Sequence, residues 1–130
     1  MKVLVDTCVW SYALRRKNPK LGIERKLREI ITDGRLSIIG PVRQEILSGI
    51  SNENQFDSLK EYLSPFEDIP LSTEHFIKAA EFSNLCMKKG IQGSTTDFLI
   101  CSIAYLENLK IFTTDLDFKY YKKYLPINLF

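Results

Sequence analysis

The sequence predicts an α/β fold: a parallel sheet of about five strands with helices on both faces, three layers in all. Two observations carry this. Short apolar runs at residues 3–5, 36–39 and 110–113 have strand length and no polar alternation, as strands buried on both faces do. The longer segments between them carry apolar residues at helical spacing. Strands that alternate with helices in this way build covered parallel sheets. The chain has 130 residues, enough for one domain, residues 1–130, with a real core and too few for two.

Val3, Leu4 and Val5 form the first strand, and residues 10–15 a short helix. Ile23, Leu27, Ile30 and Ile31 stand at i, i+4, i+7 and i+8 of a longer helix that Gly34 stops. Residues 36–39 are the second strand. Pro41 starts the next helix, where its missing N–H costs nothing, and Val42, Ile46 and Ile50 form its apolar stripe. Phe56, Leu59 and Leu63 mark a further helix ended by Ser64-Pro65, and residues 66–69 a third strand. Ser72 caps a helix running to about Lys89, with Phe76, Ala79, Ala80 and Met87 expected inward. Gly90 and Gly93 break it. Ser94 or Thr95 opens a helix to Asn108, whose Phe98, Leu99, Ile100, Ile103 and Leu106 leave little polar face. Residues 110–113 make the fourth strand, 116–124 a short helix and 127–129 the last strand.

Hydrophobic residues make up 45% of the chain and charged residues 26%, a globular rather than a disordered composition. A net charge of +2 does not announce nucleic-acid binding but permits it. Cys8, Cys86 and Cys101 are odd in number and without paired spacing, which fits buried thiols in a reducing compartment better than disulfides or a zinc site. The opening apolar run stops at Asp6, too soon for a signal peptide or membrane span. A cytoplasmic location is expected.

Four acids occupy comparable positions. Asp6 and Asp115 follow the first and fourth strands, Glu45 lies just inside a helix that follows a strand, and Asp97 opens a helix that feeds one. Helices that leave or feed parallel strands begin at the strands' carboxyl edge, where ligands of open α/β sheets bind. All four acids are therefore expected on one edge. Two carboxylates about 5 Å apart repel by roughly 3 kcal/mol at an effective dielectric of about 20. A hard divalent cation reverses that sign, and its chemistry at such a cluster is phosphodiester hydrolysis by an activated water. His75, the only histidine, sits in a helix and argues against imidazole catalysis. Taken singly, the acids have plainer readings. Ser94-Thr95-Thr96-Asp97 is nearly a capping box, Asp115 and Asp117 can cap the helix they precede, and Glu45 can be a solvated surface residue. Asp6 is the hardest to dismiss, because an acid ending a buried strand needs a partner.

Val5-Asp6-Thr7, Glu45-Ile46-Leu47-Ser48-Gly49, Asp97-Phe98-Leu99-Ile100 with Ala104, and Thr113-Thr114-Asp115-Leu116-Asp117-Phe118 together resemble the successive motifs of PIN-domain ribonucleases. In size the chain resembles the VapC-type toxins of toxin–antitoxin pairs. The resemblance covers essentially the whole chain. It implies a five-stranded PIN-like α/β/α fold, a homodimer, an antitoxin partner, and cleavage of RNA dependent on Mg²⁺ or Mn²⁺. Carried over, Asp6 and Asp97 would be direct metal ligands, with Glu45 and Asp115 completing the site directly or through water. Thr7 or Thr113 would supply a positioning hydroxyl, and Asp117 could replace Asp115. The implied hydrolysis leaves 5′-phosphate and 3′-hydroxyl ends. Cys8 departs from the Asn or Ser of many relatives.

Arg15, Arg16, Lys17, Lys20 and Arg43 could hold the RNA backbone or simply be solvated, and Tyr120, Tyr121 and Tyr124 could stack on bases or pack. A phosphoacceptor receiver shares the length and the sheet but needs paired acids after its first strand and a lysine after a late one. Here those places hold Asp6-Thr7-Cys8 and Thr113-Thr114-Asp115. A non-toxin RNA-processing PIN nuclease and an inactive PIN-like binding module share the motifs and stay open as alternatives.

Overall fold

Val3–Val5 form β1, with all three side chains withdrawn from solvent, at the centre of the sheet in a computed structural model that describes residues 1–14 and 21–130. Its neighbours are β2 (Leu36–Ser37) and β3 (Lys110–Phe112), and β4 (Asn128–Leu129) lies beyond β3. The order is β2-β1-β3-β4, with every pairing parallel. Val3 stands opposite Leu36 on one side and Lys110 on the other, so the two flanking strands are in step.

Among the described residues the sheet has four strands where five were expected. The missing one is the run at 66–69, which is reduced to a single parallel bridge between Ile38 and Asp68, with the Ile69 N–H donating to the Ile38 carbonyl at 2.9 Å. The physical reason lies in Arg43, which donates to Asp68 at 3.1 Å and to the Leu63 and Phe66 carbonyls. These bonds occupy the groups and the geometry that a longer edge strand would need.

The helices are α1 (Thr7–Leu14), α2 (Leu21–Thr32), α3 (Gly40–Leu47), α4 (Glu53–Leu63), α5 (Thr73–Lys88), α6 (Thr95–Leu106) and α7 (Asp117–Lys122). From β1 the chain moves outward through β2 to the Asp68 bridge, then returns across β1 to β3 and β4. Right-handed crossovers put the outward helices, α1 to α4, on one face and the returning ones, α5 to α7, on the other. The packing of α1 on α2 and α3, and of α5 on α6, agrees with that division. Gly34 (φ +68°) ends α2 in the left-handed region that glycine enters without penalty.

Phe98 to Ala104 of α6 are buried without interruption, as its sequence predicts. The inward face of α5 is not the expected one. His75, Phe82 and Cys86 are buried, whereas Phe76 and Met87 are 52% and 65% exposed and Ala80 is exposed. The helix carries two apolar stripes, and α6 selects the one that contains a histidine. His75 is tolerated because its Nδ1 meets the Ser72 N–H at 3.0 Å and its Nε2 meets Glu107 at 2.9 Å, while its backbone carbonyl accepts the Ser102 hydroxyl. Ile50 also falls off its predicted stripe, since α3 ends at Leu47 and Gly49 turns the chain at φ +82°. Among the described residues no helix is long and apolar enough to cross a membrane.

Candidate active site

Asp6 leaves β1 on the sheet's carboxyl edge, tied to β3 by its N–H donating to the Phe112 carbonyl at 2.9 Å. Only 7% of it is exposed. Three hydrogen bonds hold its carboxylate: the Thr7 N–H at 2.8 Å on Oδ1, and the Thr113 hydroxyl at 2.9 Å and Cys8 thiol at 3.6 Å on Oδ2. Burial pushes the Asp6 carboxyl above the ordinary aspartate range, against the pull of the Thr113 and Thr7 bonds, and the nearby charge of Asp97 pushes it further up.

From Asp6 the network runs both ways along the edge. The Thr7 hydroxyl donates to Glu45 Oε2 at 2.8 Å, joining α1 to α3. Thr113 Oγ1 accepts the Asp115 N–H at 3.0 Å, and Asp115 Oδ1 accepts the N–H of Asp117, first residue of α7, at 2.9 Å. Cys8 Sγ accepts the Thr114 N–H at 3.3 Å, a further tie between the ends of β1 and β3. Cys8 therefore lies inside the network, where the sequence suggested only a buried thiol. Asp117 is exposed and Asp115 half-buried.

Asp97 reaches the same edge from the other helical layer. The cap of α6 is the Ser94 side chain, which accepts the Asp97 N–H at 3.0 Å. The Asp97 carboxylate is thus free of capping duty, and its Oδ2 accepts the Tyr121 hydroxyl at 2.7 Å. Tyr121 is fully buried between Phe98 and Phe118, each ring 5.1 Å away. Burial first, then the bond to Asp97, push its phenol far above the tyrosine range, so it stays a proton donor. Gly93 makes this possible, because a Cβ there would strike the Tyr121 hydroxyl and come within 2.9 Å of the Phe98 ring. Sequence reasoning offered Tyr121 for stacking or packing and missed this bond. No local signal could reveal a partner 24 residues away.

The structure therefore brings Asp6, Glu45, Asp97 and Asp115 to one edge, with Thr7 and Thr113 as the hydroxyls between them. Arg43 is turned elsewhere: its donors serve Asp68, Leu63 and Phe66, which makes it a structural tie. Arg15, Arg16, Lys17 and Lys20 lie outside the described residues.

The donor set is carboxylate and hydroxyl oxygen, the chemistry of Mg²⁺ or Mn²⁺ rather than of a thiophilic metal. In that respect the residues fit such an ion. Among the described residues, however, no three acids, histidines or cysteines gather into a ready-made cage. Each carboxylate accepts a neutral donor of its own, and among the described residues none is paired with a lysine or arginine.

A parallel α/β sheet with acids gathered along its carboxyl edge belongs to the class of proteins that bind ligands at that edge. Residues 3–124 match the model of the PIN domain, and the chain belongs to that family. No curated protein matches it. Among solved structures, it is similar to a chain of FitAcB from Neisseria gonorrhoeae, with 19% identity over 98% of this chain and 96% of that one (TM-score 0.81). It is also similar to a chain of VapBC2 from Rickettsia felis bound to a DNA fragment from their promoter, with 23% identity over 100% and 98% (TM-score 0.77). A chain of a toxin–antitoxin complex from Klebsiella pneumoniae shares 16% identity over 88% of both chains (TM-score 0.67). At these identities the likeness is one of fold.

Proposed function

We propose that this chain is a Mg²⁺- or Mn²⁺-dependent endoribonuclease that hydrolyses RNA phosphodiester bonds, and that it is the toxin of a toxin–antitoxin pair. The observation that carries the reading is electrostatic. Among the described residues none of Asp6, Glu45, Asp97 and Asp115 has a lysine or arginine partner; several exposed acids also lack one, but Asp6 does so while only 7% exposed and facing the charge of Asp97. Membership of the PIN domain family supports nuclease chemistry at that place.

Asp6 and Asp97 are the metal ligands in this reading, and Glu45 and Asp115 complete the site, with Asp117 as the substitute for Asp115. A cation held there supplies an acidified water and neutralises charge on the leaving oxygen. Thr113 and Thr7 fix the carboxylates of Asp6 and Glu45, and Tyr121 fixes that of Asp97. The likeness to a chain of a toxin–antitoxin complex supports an antitoxin partner. The exposed Phe76, Ile77 and Met87 of α5 offer a homodimer its apolar contact.

The test is cleavage of a labelled RNA pool with Mg²⁺ or Mn²⁺, against EDTA and Asp97→Asn controls. Metal-dependent cutting that disappears in both controls and leaves 5′-phosphate ends is the expected result. Products ending in 2′,3′-cyclic phosphate would contradict the hydrolytic route. The open arrangement of the acids favours one second reading, an inactive PIN-like binding module. A chain that neither cuts RNA nor binds Mn²⁺ is that module.

A further inference from the structure

We propose that the face formed by the carboxyl ends of α5 and α7 is a platform for single-stranded RNA beside the acidic edge, an inference that rests on the nuclease reading above. Lys88 and Lys89 end α5, and Lys119, Lys122 and Lys123 project from α7 and its cap. All five are exposed, and among the described residues none has a carboxylate partner. Five positive charges against a chain total of +2 leave a sum of −3 for everything else. The mild net charge conceals a strong local field.

Two tyrosines interleave with these lysines. Tyr120 and Tyr124 are 52% and 41% exposed. Lys123 Nζ lies 5.1 Å from the centre of the Tyr120 ring, and Lys89 Nζ lies 5.7 Å from that of Tyr124. The second contact crosses from α5 to α7, so the two helix ends make one surface. Helix-dipole complementarity explains a lysine at each helix end. It does not explain five of them, nor solvent-facing rings beneath two. Ammonium groups among exposed aromatic faces are how proteins hold unpaired nucleotides, with charge on the phosphates and rings under the bases. In a duplex the base faces are already stacked, so such rings discriminate against it. An acidic peptide would use the lysines but not the rings.

The position is as telling as the chemistry. Helix α7 begins two residues after Asp115 and spans about 9 Å. Its buried side carries Tyr121, which holds Asp97, and its outer side carries the platform. A strand lying along the outer side therefore runs on toward the acids.

The experiment is equilibrium binding of a labelled unstructured RNA of about 12 nucleotides to the whole chain in EDTA, so that nothing is cut. The same RNA annealed to its complement and an oligoglutamate peptide serve as rival ligands. The single strand should bind tightest. Tyr120→Ala and Tyr124→Ala should each weaken it about fivefold or more. Lys119→Gln, Lys122→Gln and Lys123→Gln together should lower the slope of log affinity against log salt by about 2. Duplex or peptide binding as tight as the single strand overturns the platform, and so do variants that bind like the natural chain. If acid-dependent cutting persists in either case, the platform alone has failed. A natural chain that neither binds nor cuts RNA ends both readings.

Discussion

The two ends of α6 treat a carboxylate in opposite ways. At the carboxyl end Glu107 meets His75 Nε2 at 2.9 Å, a bond that completes the polar circuit of a buried imidazole. At the amino end Asp97 accepts only a neutral phenol and faces the charge of Asp6. Both acids accept a neutral donor, but Glu107 completes the bonds of a buried imidazole, whereas Asp97 lies beside a second, buried carboxylate. The same contrast separates Asp68, which is paired with Arg43, from the four acids of the carboxyl edge. Negative charge crowded around the buried Asp6 at the carboxyl edge is what the proposed metal site would use.

Exchanging the charge at each end of α6 tests that contrast most severely. Asp97→Asn should cost RNA cleavage about 10³-fold, whereas Glu107→Gln should leave the rate within about twofold, both read from initial rates under saturating Mn²⁺. Comparable losses at the two ends would erase the distinction. Next in size is Tyr121→Phe, which removes only the hydroxyl on Asp97. Mn²⁺ affinity by paramagnetic resonance and the cleavage rate should both fall about tenfold, as when the outer partner of a metal ligand is lost. An unchanged Mn²⁺ affinity would reduce Tyr121 to a packing residue. Gly93→Ala should reproduce the effect by displacing the phenol.

Stability should show the reverse pattern. Glu107→Ala leaves His75 Nε2 buried without its partner and should cost about 1 kcal/mol in denaturant melts. The smallest effect has the opposite sign. Asp6 has a raised carboxyl pKa, so the folded state binds its proton more tightly than the unfolded chain does. Its ionised form therefore destabilises the fold above that raised value, and the cost is relieved as pH falls through it toward 3.8 and below. In EDTA at pH 7, Asp6→Asn should melt about 2 °C higher than the natural chain, with the difference shrinking toward pH 4. A lower melt at both pH values would mean that the bonds from Thr7 and Thr113 need a charged acceptor.

Much of this architecture was legible from residue order. Runs such as Val3-Leu4-Val5 and the helical spacing of Ile23, Leu27 and Ile30 depend on local chemistry alone, and handedness then places strand ends and helix starts on one edge. The reduction of the expected strand at 66–69 to a single bridge was not legible, because Arg43, more than twenty residues away, takes groups that strand would have used. Nor was the face of α5. Its two stripes are similarly apolar, and only contact with α6 favours His75 and Phe82 over Phe76 and Met87. The site divides in the same way. The four carboxylates announced themselves at element boundaries and the resemblance pointed to Thr7 and Thr113, whereas the Tyr121 hydroxyl on Asp97 had no local signal.

The sequence by itself determined a parallel α/β fold and the four acids its topology collects, since both follow from short-range periodicity and the handedness of crossovers, while the PIN type was read from the resemblance of its motifs. Tertiary structure alone decided that Thr7 donates to Glu45, that Thr113 donates to Asp6, and that Gly93 admits the Tyr121 hydroxyl to Asp97. Those are contacts between residues distant in sequence, fixed by packing to within a few tenths of an ångström. No pattern along the chain encodes a distance of that kind.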